Sequence, residues 1–367
     1  MTATESHAHT LSQAAEPLAS FLGEFSANDL LDWLQHELGD WRALDDFQQV
    51  GNILTKAKPP KHLVHVVSGN TPHAALQTLL RGLLIGCQKN TIKVPAALAT
   101  QQGTSATDTL PELGQFYKSL PAELQSRCHF TTELDDSTLG SADSVVAIGS
   151  DDAIAAIHAR LSPQQRFIPH GHKISIGLID KPSAKHAQLA ARDASIFNQN
   201  GCLSPHAIYV QQDAAAFAPM LADAMARYAE SDPRGEIGLS ESGAIRNLRE
   251  TTRYRAAQNP GCIQLYESEG DTSWTVIYDE NPRLELSPGN RCIYVRPWPK
   301  DLSTLGSEVE YLSTIALSPL PKLLDAVAPL EAPRVCQLGQ AQSPDLFWHH
   351  DGSSPLATLV TWQDIHL

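Results

Sequence analysis

Clustered positive charge and long hydrophobic runs are both missing from this 367-residue chain. The formal net charge of −14 argues against a nucleic-acid partner, because binding a phosphate backbone needs clustered Lys and Arg, and against a polybasic membrane anchor. The apolar run at 79–85 is broken by Arg81 and Gly82, and no run reaches the length of a membrane-spanning helix. Residues 1–17 lack the basic start and apolar stretch of a signal peptide. We therefore expect a cytoplasmic protein without a membrane span.

Paired cysteines and a glycine-rich nucleotide fingerprint are missing as well. The six cysteines include no CxxC pair, which disfavours a zinc ribbon or a thioredoxin-like motif and fits reduced thiols in a cytoplasmic protein. His349-His350-Asp351 contains metal-ligand types, but adjacent residues on a strand point to opposite faces, so we expect no metal. No GxGxxG stands at a strand–helix turn, so that fingerprint cannot assign a cofactor.

Short apolar runs alternate with amphipathic stretches from about residue 61 onward. Strand patterns occupy 62–67, 91–94, 144–148, 173–180 and 207–210, and helix patterns occupy 72–86, 153–161, 184–196 and 214–230. Asp151 or Asp152 is expected to cap the second helix. The alternation predicts an α/β fold with parallel strands and crossover helices. Ligands of such sheets bind at the carboxyl ends of the strands, where polar turns stand at 68–71, 149–151 and 200–202.

Residues 231–345 are less regular. Strand patterns at 274–278 and 291–296 have a turn at 287–290 between them, and 357–362 is apolar enough for a final strand that returns to the core. We predict an N-terminal segment and nucleotide-binding domain over 1–170 and a catalytic domain over 171–345. A C-terminal segment over 346–367 is predicted to return to the core.

The most informative stretch is Phe-Asn-Gln-Asn-Gly-Cys-Leu-Ser-Pro at 197–205. It places Cys202 directly after Gly201, between a predicted helix and a predicted strand, where a thiol can face a substrate. The alternative is a structural cysteine, since free Cys is among the most buried residue types. The surroundings favour a nucleophile.

Together the motifs resemble the acyl-CoA reductase family of bacterial bioluminescence, a branch of the aldehyde dehydrogenase superfamily. The residues that carry the resemblance are 67–72, 92–95, 171–175, 198–205, 287–291 and 348–352. It runs from about residue 60 to the end, and the first fifty residues match nothing. The resemblance implies an aldehyde-dehydrogenase-like fold, with a Rossmann-type cofactor domain and an α/β catalytic domain.

Catalytic roles follow from the resemblance for two residues. Cys202 would attack the carbonyl carbon of a thioester and carry the acyl group, which requires a setting that favours the thiolate. Asn70 aligns with an asparagine that helps to bind the developing oxyanion, and the backbone N–H of Cys202 would be the second donor. The alternative for Asn70 is a turn residue after a strand.

Cofactor-binding roles follow for four residues. Lys93 resembles the superfamily lysine that contacts the adenosine ribose or its 2′-phosphate, and Gly149 with Ser150 resembles a turn near the cofactor. Glu285 resembles a glutamate that orients the nicotinamide ribose, although its motif is one residue short. Ala96 stands where many NAD-using relatives have a ribose-binding glutamate; without that carboxylate the site favours NADPH, with NADH as the alternative.

One departure from aldehyde-oxidising relatives concerns the fate of the acyl group. Those enzymes have a water-activating glutamate where this chain has Pro169, and proline cannot act as a base. An acyl-cysteine without activated water survives long enough to receive hydride, so reduction is favoured. His170 and His172 are alternative acids or bases, although surface histidines are the simpler interpretation.

These residues predict NADPH-dependent reduction of an acyl thioester to an aldehyde through an acyl-cysteine on Cys202. The donor is acyl-CoA or an acyl-carrier protein, and an acyl-transferring protein is a further expected partner. Two alternatives are an aldehyde dehydrogenase that oxidises aldehydes and a degenerate, non-catalytic member that acts as a scaffold. Superfamily members commonly dimerise through an extended hairpin, for which 287–296 is the candidate.

Overall fold

A computed structural model of the chain describes residues 1–69, 72–95 and 110–367. The chain divides into two compact units. The first unit consists of Met1–His172 with Asp345–Leu367, and the second unit consists of Lys173–Pro344. The chain therefore leaves the first unit once and returns to it near its end.

The helices and strands are numbered here in chain order. The helices are α1 (Ala3–Ala15), α2 (Ala19–Leu22), α3 (Ala27–Leu38), α4 (Pro72–Leu84), α5 (Pro111–Ser119), α6 (Ala122–Gln125), α7 (Asp136–Gly140), α8 (Asp151–His158), α9 (Ala184–Ser195), α10 (Ala214–Ser231), α11 (Leu239–Gln258) and α12 (Leu320–Val327). The strands are β1 (Gln48–Val50), β2 (Ile53–Lys58), β3 (His62–Val66), β4 (Lys89–Lys93), β5 (Cys128–Thr131), β6 (Ser144–Ile148), β7 (Arg166–His170), β8 (Ile174–Ile179), β9 (Pro205–Val210), β10 (Ile263–Glu267), β11 (Thr275–Asp279), β12 (Cys292–Pro297), β13 (Leu312–Ser318), β14 (Arg334–Gln337) and β15 (Thr361–His366).

The first unit is built on a five-stranded sheet in the order β5-β4-β3-β6-β7, and every neighbouring pair is parallel. Helices α1, α3, α4 and α5 contribute to a hydrophobic cluster on one face, and α7 and α8 contribute to a cluster on the other. Because both faces are covered, β3 and β6 are buried along nearly their whole length, as is usual for parallel strands.

A second sheet of the first unit joins distant parts of the chain. It has three strands in the order β1-β2-β15, all antiparallel. The predicted final strand at 357–362 is wrong in its position, because residues Leu356, Leu359 and Val360 enter the core as a 3₁₀ turn and its flanks. The strand itself comes later, and all six residues of β15 are exposed.

The second unit contains a seven-stranded sheet in the order β10-β11-β12-β9-β8-β13-β14, parallel except for β10. Helices α9 and α10 contribute to the cluster on one face, and α11 and α12 contribute to the other. The predicted hairpin around 287–296 is not formed. Strands β11 and β12 run parallel, and β12 is an almost fully buried interior strand, which excludes it as an exposed dimerisation hairpin.

The predicted α/β architecture with parallel sheets is confirmed. Among the described residues, no helix combines the length and the apolar character that crossing a membrane requires.

Candidate active site

Cys202 lies on a short irregular loop between α9 and β9. Helix α9 ends at Ser195, and the residues that follow have left-handed backbones, with φ of 52° at Phe197, 54° at Asn198 and 62° at Gln199. Such angles are uncommon for residues that carry a Cβ and persist only where the surroundings enforce them. The thiol-bearing residue is half-buried, so its environment is neither bulk water nor the sealed core.

Hydrogen bonds fasten this loop on both sides of the cysteine. The Oγ of Ser175, in β8, donates to the carbonyl oxygen of Cys202 at 2.7 Å. Ser204 is fully buried, and its Oγ accepts a hydrogen bond from Nε2 of Gln342 at 2.5 Å. Buried polar contacts of this kind hold a backbone segment in one arrangement, so Cys202 has a defined position within the second unit.

The other five cysteines are disfavoured as thiolates. Burial raises the pKa of four of them, namely Cys87, Cys128, Cys292 and Cys336. The fifth, Cys262, is exposed, but a hydrogen bond to the Glu280 side chain and the charge of that carboxylate raise its pKa. Because the thiolate is the attacking species, none of these five cysteines is favoured as a nucleophile.

The carboxyl edge of the five-stranded sheet carries the residues assigned to the cofactor. Lys93 is the half-buried last residue of β4, Gly149 follows β6, and Ser150 caps α8 by accepting a hydrogen bond from the Ala153 N–H at 3.4 Å. Strand β3 lies between β4 and β6, where the strand order changes direction. Nucleotides bind open α/β sheets at such a switch point, so this edge fits a dinucleotide cofactor.

The turn after β6 differs from the sequence prediction at its cap. Ser150 is the N-cap of α8, not either of the aspartates that follow it. Oδ1 of Asp151 instead accepts a hydrogen bond from the backbone N–H of His172 at 2.8 Å. The N–H of Gly149 donates to the carbonyl oxygen of His170 at 3.1 Å. The candidate cofactor turn is thereby fastened to the end of β7.

Strand β7 ends with the Pro169-His170 pair. Pro169 is exposed and brings no carboxylate to this position. The interpretation of His170 as a surface residue is wrong, because it is buried and its Nδ1 lies 2.9 Å from Oδ2 of Asp351. Its ring also stacks on that of His350, with the centroids 4.0 Å apart and the planes 13° apart. The distant 348–352 motif therefore packs beside the end of β7.

His170, His350 and Asp351 are metal-ligand types, and their donor atoms lie within 4.8 Å of one another. Each ligating imidazole directs the in-plane lone pair of its nitrogen at the ion, and two nearly parallel rings 4.0 Å apart cannot both do so. Burial lowers the pKa of His350 to about 3, which keeps its ring neutral at physiological pH. In this arrangement the three side chains form a packed polar contact.

Glu285 has a partner within the second unit. Its Oε2 accepts a hydrogen bond from Arg296 at 2.6 Å, and the Arg296 side chain is fully buried. The Glu285 side chain is 39% exposed, so part of it remains accessible beside this ion pair. The assignment of Glu285 to the nicotinamide ribose stays a prediction.

Two predicted positions, Asn70 and Ala96, lie outside the described residues, so their roles stay predictions too. Within the first unit, the structure brings Lys93 to the same sheet edge as the Gly149-Ser150 turn. Within the second unit, it brings the Cys202 loop to the segment that follows Glu285, through Gln199 and Ser287.

Comparison with known proteins places the chain in a family. A family model described as acyl-CoA reductase (LuxC) matches residues 4–362. The chain belongs to the acyl-CoA reductase family. This member of the family is therefore an aldehyde-forming oxidoreductase that reduces an acyl thioester, as predicted. The resemblance starts earlier than predicted, because the match begins at residue 4 and not near residue 60.

Named relatives agree with this placement. The chain is 26% identical over 347 residues to the long-chain acyl-protein thioester reductase 2 of Photobacterium leiognathi, a match that covers 92% of this chain and 70% of the relative. It is 25% identical over 350 residues to the long-chain acyl-protein thioester reductase of Vibrio harveyi, covering 91% and 70% respectively.

Solved structures confirm the aldehyde-dehydrogenase-like fold of this acyl-CoA reductase. The gamma-glutamyl-gamma-aminobutyraldehyde dehydrogenase of Burkholderia cenocepacia J2315 matches with a TM-score of 0.68 at 14% identity, covering 99% of this chain and 84% of that one. The indole-3-acetaldehyde dehydrogenase AldA of P. syringae matches with a TM-score of 0.67 at 14% identity, covering 100% and 85%.

Two features of this acyl-CoA reductase were not predicted from its sequence. Helices α1 and α3 pack against each other, and α1 also packs against α4, so the N-terminal segment, in which no sequence motif was found, belongs to the core of the first unit. The second feature is Gln199, whose buried side chain forms hydrogen bonds with the backbones of Pro205 and Cys292. The sequence signal that could have indicated this role is the long polar side chain of Gln199 close to the predicted nucleophile Cys202.

Proposed function

We propose that the enzyme uses NADPH to reduce an acyl thioester to an aldehyde through an acyl-cysteine on Cys202. The observation that carries this proposal is the position of Cys202 on an anchored, half-buried loop, together with the raised pKa of the other five thiols. An ordered setting with partial access to solvent suits a reactive cysteine better than the apolar core does.

The proposed chemistry takes place at the carbonyl carbon of the acyl group. The Cys202 thiolate attacks that carbon, the bond to the donor sulfur breaks, and the donor sulfur leaves with the bonding electron pair and takes up the proton that the Cys202 thiol released on ionisation. When bound, NADPH supplies the hydride. The carbon–sulfur bond to Cys202 then breaks, which releases the aldehyde and restores the thiolate. Asn70 and the backbone N–H of Cys202 are the proposed oxyanion donors, each worth about 10²–10³ in rate.

Pro169 supports reduction over hydrolysis of the acyl-cysteine. At the place where aldehyde-oxidising relatives have a water-activating glutamate, β7 presents a side chain that cannot remove a proton. Without a general base, attack by water on the thioester is slow, since such a base contributes about 10²–10⁴ in rate. The acyl group is thereby preserved for reduction.

The proposed cofactor site is the carboxyl edge of the five-stranded sheet, within a nucleotide-binding domain over 1–170. Lys93 would contact the adenosine ribose or its 2′-phosphate, and Gly149 with Ser150 would line the cofactor beside the switch point. Glu285 would orient the nicotinamide ribose, and the proposed catalytic domain over 171–345 would carry Cys202. Ala96 in place of a carboxylate favours the 2′-phosphate of NADPH over NADH.

The proposed acyl donor is a long-chain acyl thioester of CoA or of a protein. The family description points to CoA, and the names of the relatives point to acyl-proteins. Both donors present the same carbonyl carbon and the same leaving-group chemistry. Parallel activity assays with acyl-CoA and with acyl-protein are therefore needed to distinguish them.

The decisive experiment compares Cys202→Ala with Cys262→Ala, which removes an exposed cysteine. We expect acyl-CoA or acyl-carrier protein to oxidise NADPH with the wild type and Cys262→Ala, and not with Cys202→Ala. Without NADPH, intact-protein mass spectrometry should show one acyl adduct that is lost only in Cys202→Ala. An active Cys202→Ala enzyme would refute the nucleophile, and faster turnover with NADH would refute the cofactor preference.

A further inference from the structure

Gln199 has a buried polar side chain within the cysteine motif and is 3% exposed. Its Nε2 donates to the carbonyl oxygens of Pro205 and Cys292, both at 2.8 Å, and its Oε1 accepts from the backbone N–H of Cys292 at 2.7 Å. A longer contact of 3.4 Å joins Nε2 to Oγ of Ser287. Both amide hydrogens and the amide oxygen of Gln199 therefore take part in hydrogen bonds.

The bond from Gln199 to Pro205 closes a seven-residue loop whose central residue is Cys202. The chain enters this loop through the left-handed residues Phe197, Asn198 and Gln199. Consecutive left-handed residues with side chains are disfavoured, so bonds must hold them in place. The Gln199 amide supplies such bonds at the point where the left-handed stretch ends and the cysteine loop begins.

The same amide joins the cysteine loop to the start of β12. Both backbone groups of Cys292 bond to Gln199, and Cys292 lies at the end of the segment that follows Glu285. His206 reinforces this junction, since its Nδ1 accepts a hydrogen bond from the N–H of Ser287 at 3.1 Å. One side chain therefore fixes the nucleophile loop relative to the segment assigned to the nicotinamide ribose.

We propose that Gln199 is a positioning residue, which sets the orientation and reactivity of Cys202 by closing the 199–205 loop and tying it to β12. This inference rests on the proposed function of Cys202. A displacement of about 1 Å at a reacting group can lower a rate by about 10², so loss of the amide bonds should slow attack by the thiol without removing it.

The test replaces the amide by a side chain of similar length that cannot form the same bonds. We expect Gln199→Met to lower the kcat for NADPH oxidation by about 10- to 100-fold, while the KM for NADPH changes less than about twofold. Alkylation of Cys202 by iodoacetamide should slow at least about fivefold relative to Cys262 in the same molecule, with a changed pH profile, because nucleophilicity depends on the thiolate.

A matched control is available in the first unit. Gln165 donates from Nε2 to the carbonyl oxygens of Leu139 and Ala142 at 2.6 and 2.7 Å, and it accepts from the N–H of Ser162 at 2.8 Å. Gln165→Met removes the same pattern of bonds far from Cys202 in sequence. It should lower thermal stability and leave kcat and the alkylation ratio unchanged.

The outcomes separate this inference from the proposed function. Folded Gln199→Met with a wild-type alkylation ratio and pH profile would overturn the positioning role, even in an active enzyme. If the wild type forms no acyl adduct, the proposed function is refuted. If Gln199→Met still changes the ratio of Cys202 to Cys262 alkylation in that case, the positioning role remains supported. If Gln199→Met does not fold, Gln199→Glu retains the acceptor for the Cys292 N–H and should show the same slower alkylation.

Discussion

The two units bury different kinds of polar side chain. In its described part, the first unit buries five histidines and a single charged side chain, Arg81; the histidines are His62, His65, His73, His170 and His350. The second unit buries no histidine and instead buries the charged residues Asp180, Asp193, Arg249, Asp279, Arg291 and Arg296. Of these side chains, only the imidazole has an unperturbed pKa near physiological pH, so the two cores should respond differently to acid and to the loss of a counter-ion.

The partners of these groups explain the difference. The ring nitrogens of His65 contact the Thr78 hydroxyl and the Asn90 amide, at 2.5 and 3.1 Å, and these neutral groups suit a neutral ring. Arg296 is paired with the Glu285 carboxylate and bonds the carbonyl oxygen of Asn281. A neutral buried group needs only hydrogen bonds, whereas a buried charge also needs an opposite charge.

Removal of a buried guanidinium should give the largest effect. Arg296→Met leaves the buried Asp279 carboxylate, whose Oδ2 lies 3.7 Å from Arg296, with less compensation, and it leaves the Asn281 carbonyl without this donor. We expect the free energy of unfolding of the second unit to fall by about 3 kcal/mol. Urea denaturation, with hydrogen exchange followed in β12 and β3, would measure the loss unit by unit.

A matched arginine of the same unit provides the control. Arg253 pairs with Glu250 and Glu267 on the surface, so Arg253→Met should change the urea midpoint far less, because exposed ion pairs contribute little. Equal losses for the two variants would contradict the claim that burial makes the charges of the second unit important.

Acid should destabilise the first unit through His65. Burial lowers its pKa from 6.5 to about 4. As the pH falls through 6.5 the unfolded chain takes up a proton that the folded chain does not, so this contribution to stability is lost between about pH 6.5 and pH 4. We expect a loss of about 2 kcal/mol from pH 7 to pH 5, measured as reduced protection of β3 and β4 in hydrogen exchange.

His65→Gln removes the titrating ring while keeping a polar side chain at this site. It should weaken the pH dependence of protection in β3, whereas His9→Gln on the exposed face of α1 should leave that dependence intact. An unchanged acid response in His65→Gln would show that another group in the first unit controls it.

Much of this architecture was accessible from local sequence patterns. Strands β3, β6, β8 and β9 are mostly apolar runs, and α4, α9 and α10 have amphipathic periods, so an α/β fold with parallel strands was anticipated. The three-stranded sheet was not, because β15 pairs with β2 across about 300 residues of sequence and is exposed along its length. A strand with no buried face leaves no alternating pattern.

The candidate site shows the same division between local and distant information. Cys202, Gly149 and Ser150 could be predicted as candidates because their motifs are contiguous. The contacts of Gln199 with Cys292 and of His170 with Asp351 join residues 93 and 181 positions apart, and one sequence cannot reveal such pairs. Burial of His170 also depends on packing against the distant 348–352 segment, which a local pattern does not encode.

The second unit should gain a little stability on acidification, through Asp193. This fully buried carboxylate accepts hydrogen bonds from the N–H groups of Gly339 and Ala341, at 2.6 and 3.2 Å, and burial raises its pKa to about 6. A raised pKa contributes stability that is present at low pH and is lost as the pH rises through 6. From pH 7 to pH 5 we expect a gain of about 1 kcal/mol, measured as protection in α9.

Asp193→Asn should abolish that gain, because the amide does not titrate. The second unit could instead lose hydrogen-exchange protection on acidification to the same degree as the first, with or without Asp193. That result would contradict the proposed difference between the two cores.

The smallest effect is expected from a charge pair on the surface of the first unit. Arg160 bonds Asp136 at 2.7 Å, with 38% and 91% of the two side chains exposed. Asp136→Asn should lower the free energy of unfolding by less than about 1 kcal/mol, and even this difference should shrink as salt is raised to about 1 M, where charges are screened within about 3 Å. Urea titrations at low and high salt would measure both values. A salt-insensitive loss as large as that of Arg296→Met would mean that exposure does not separate weak from strong charge pairs in this protein, and the contrast between the two cores would then have to rest on their histidines alone.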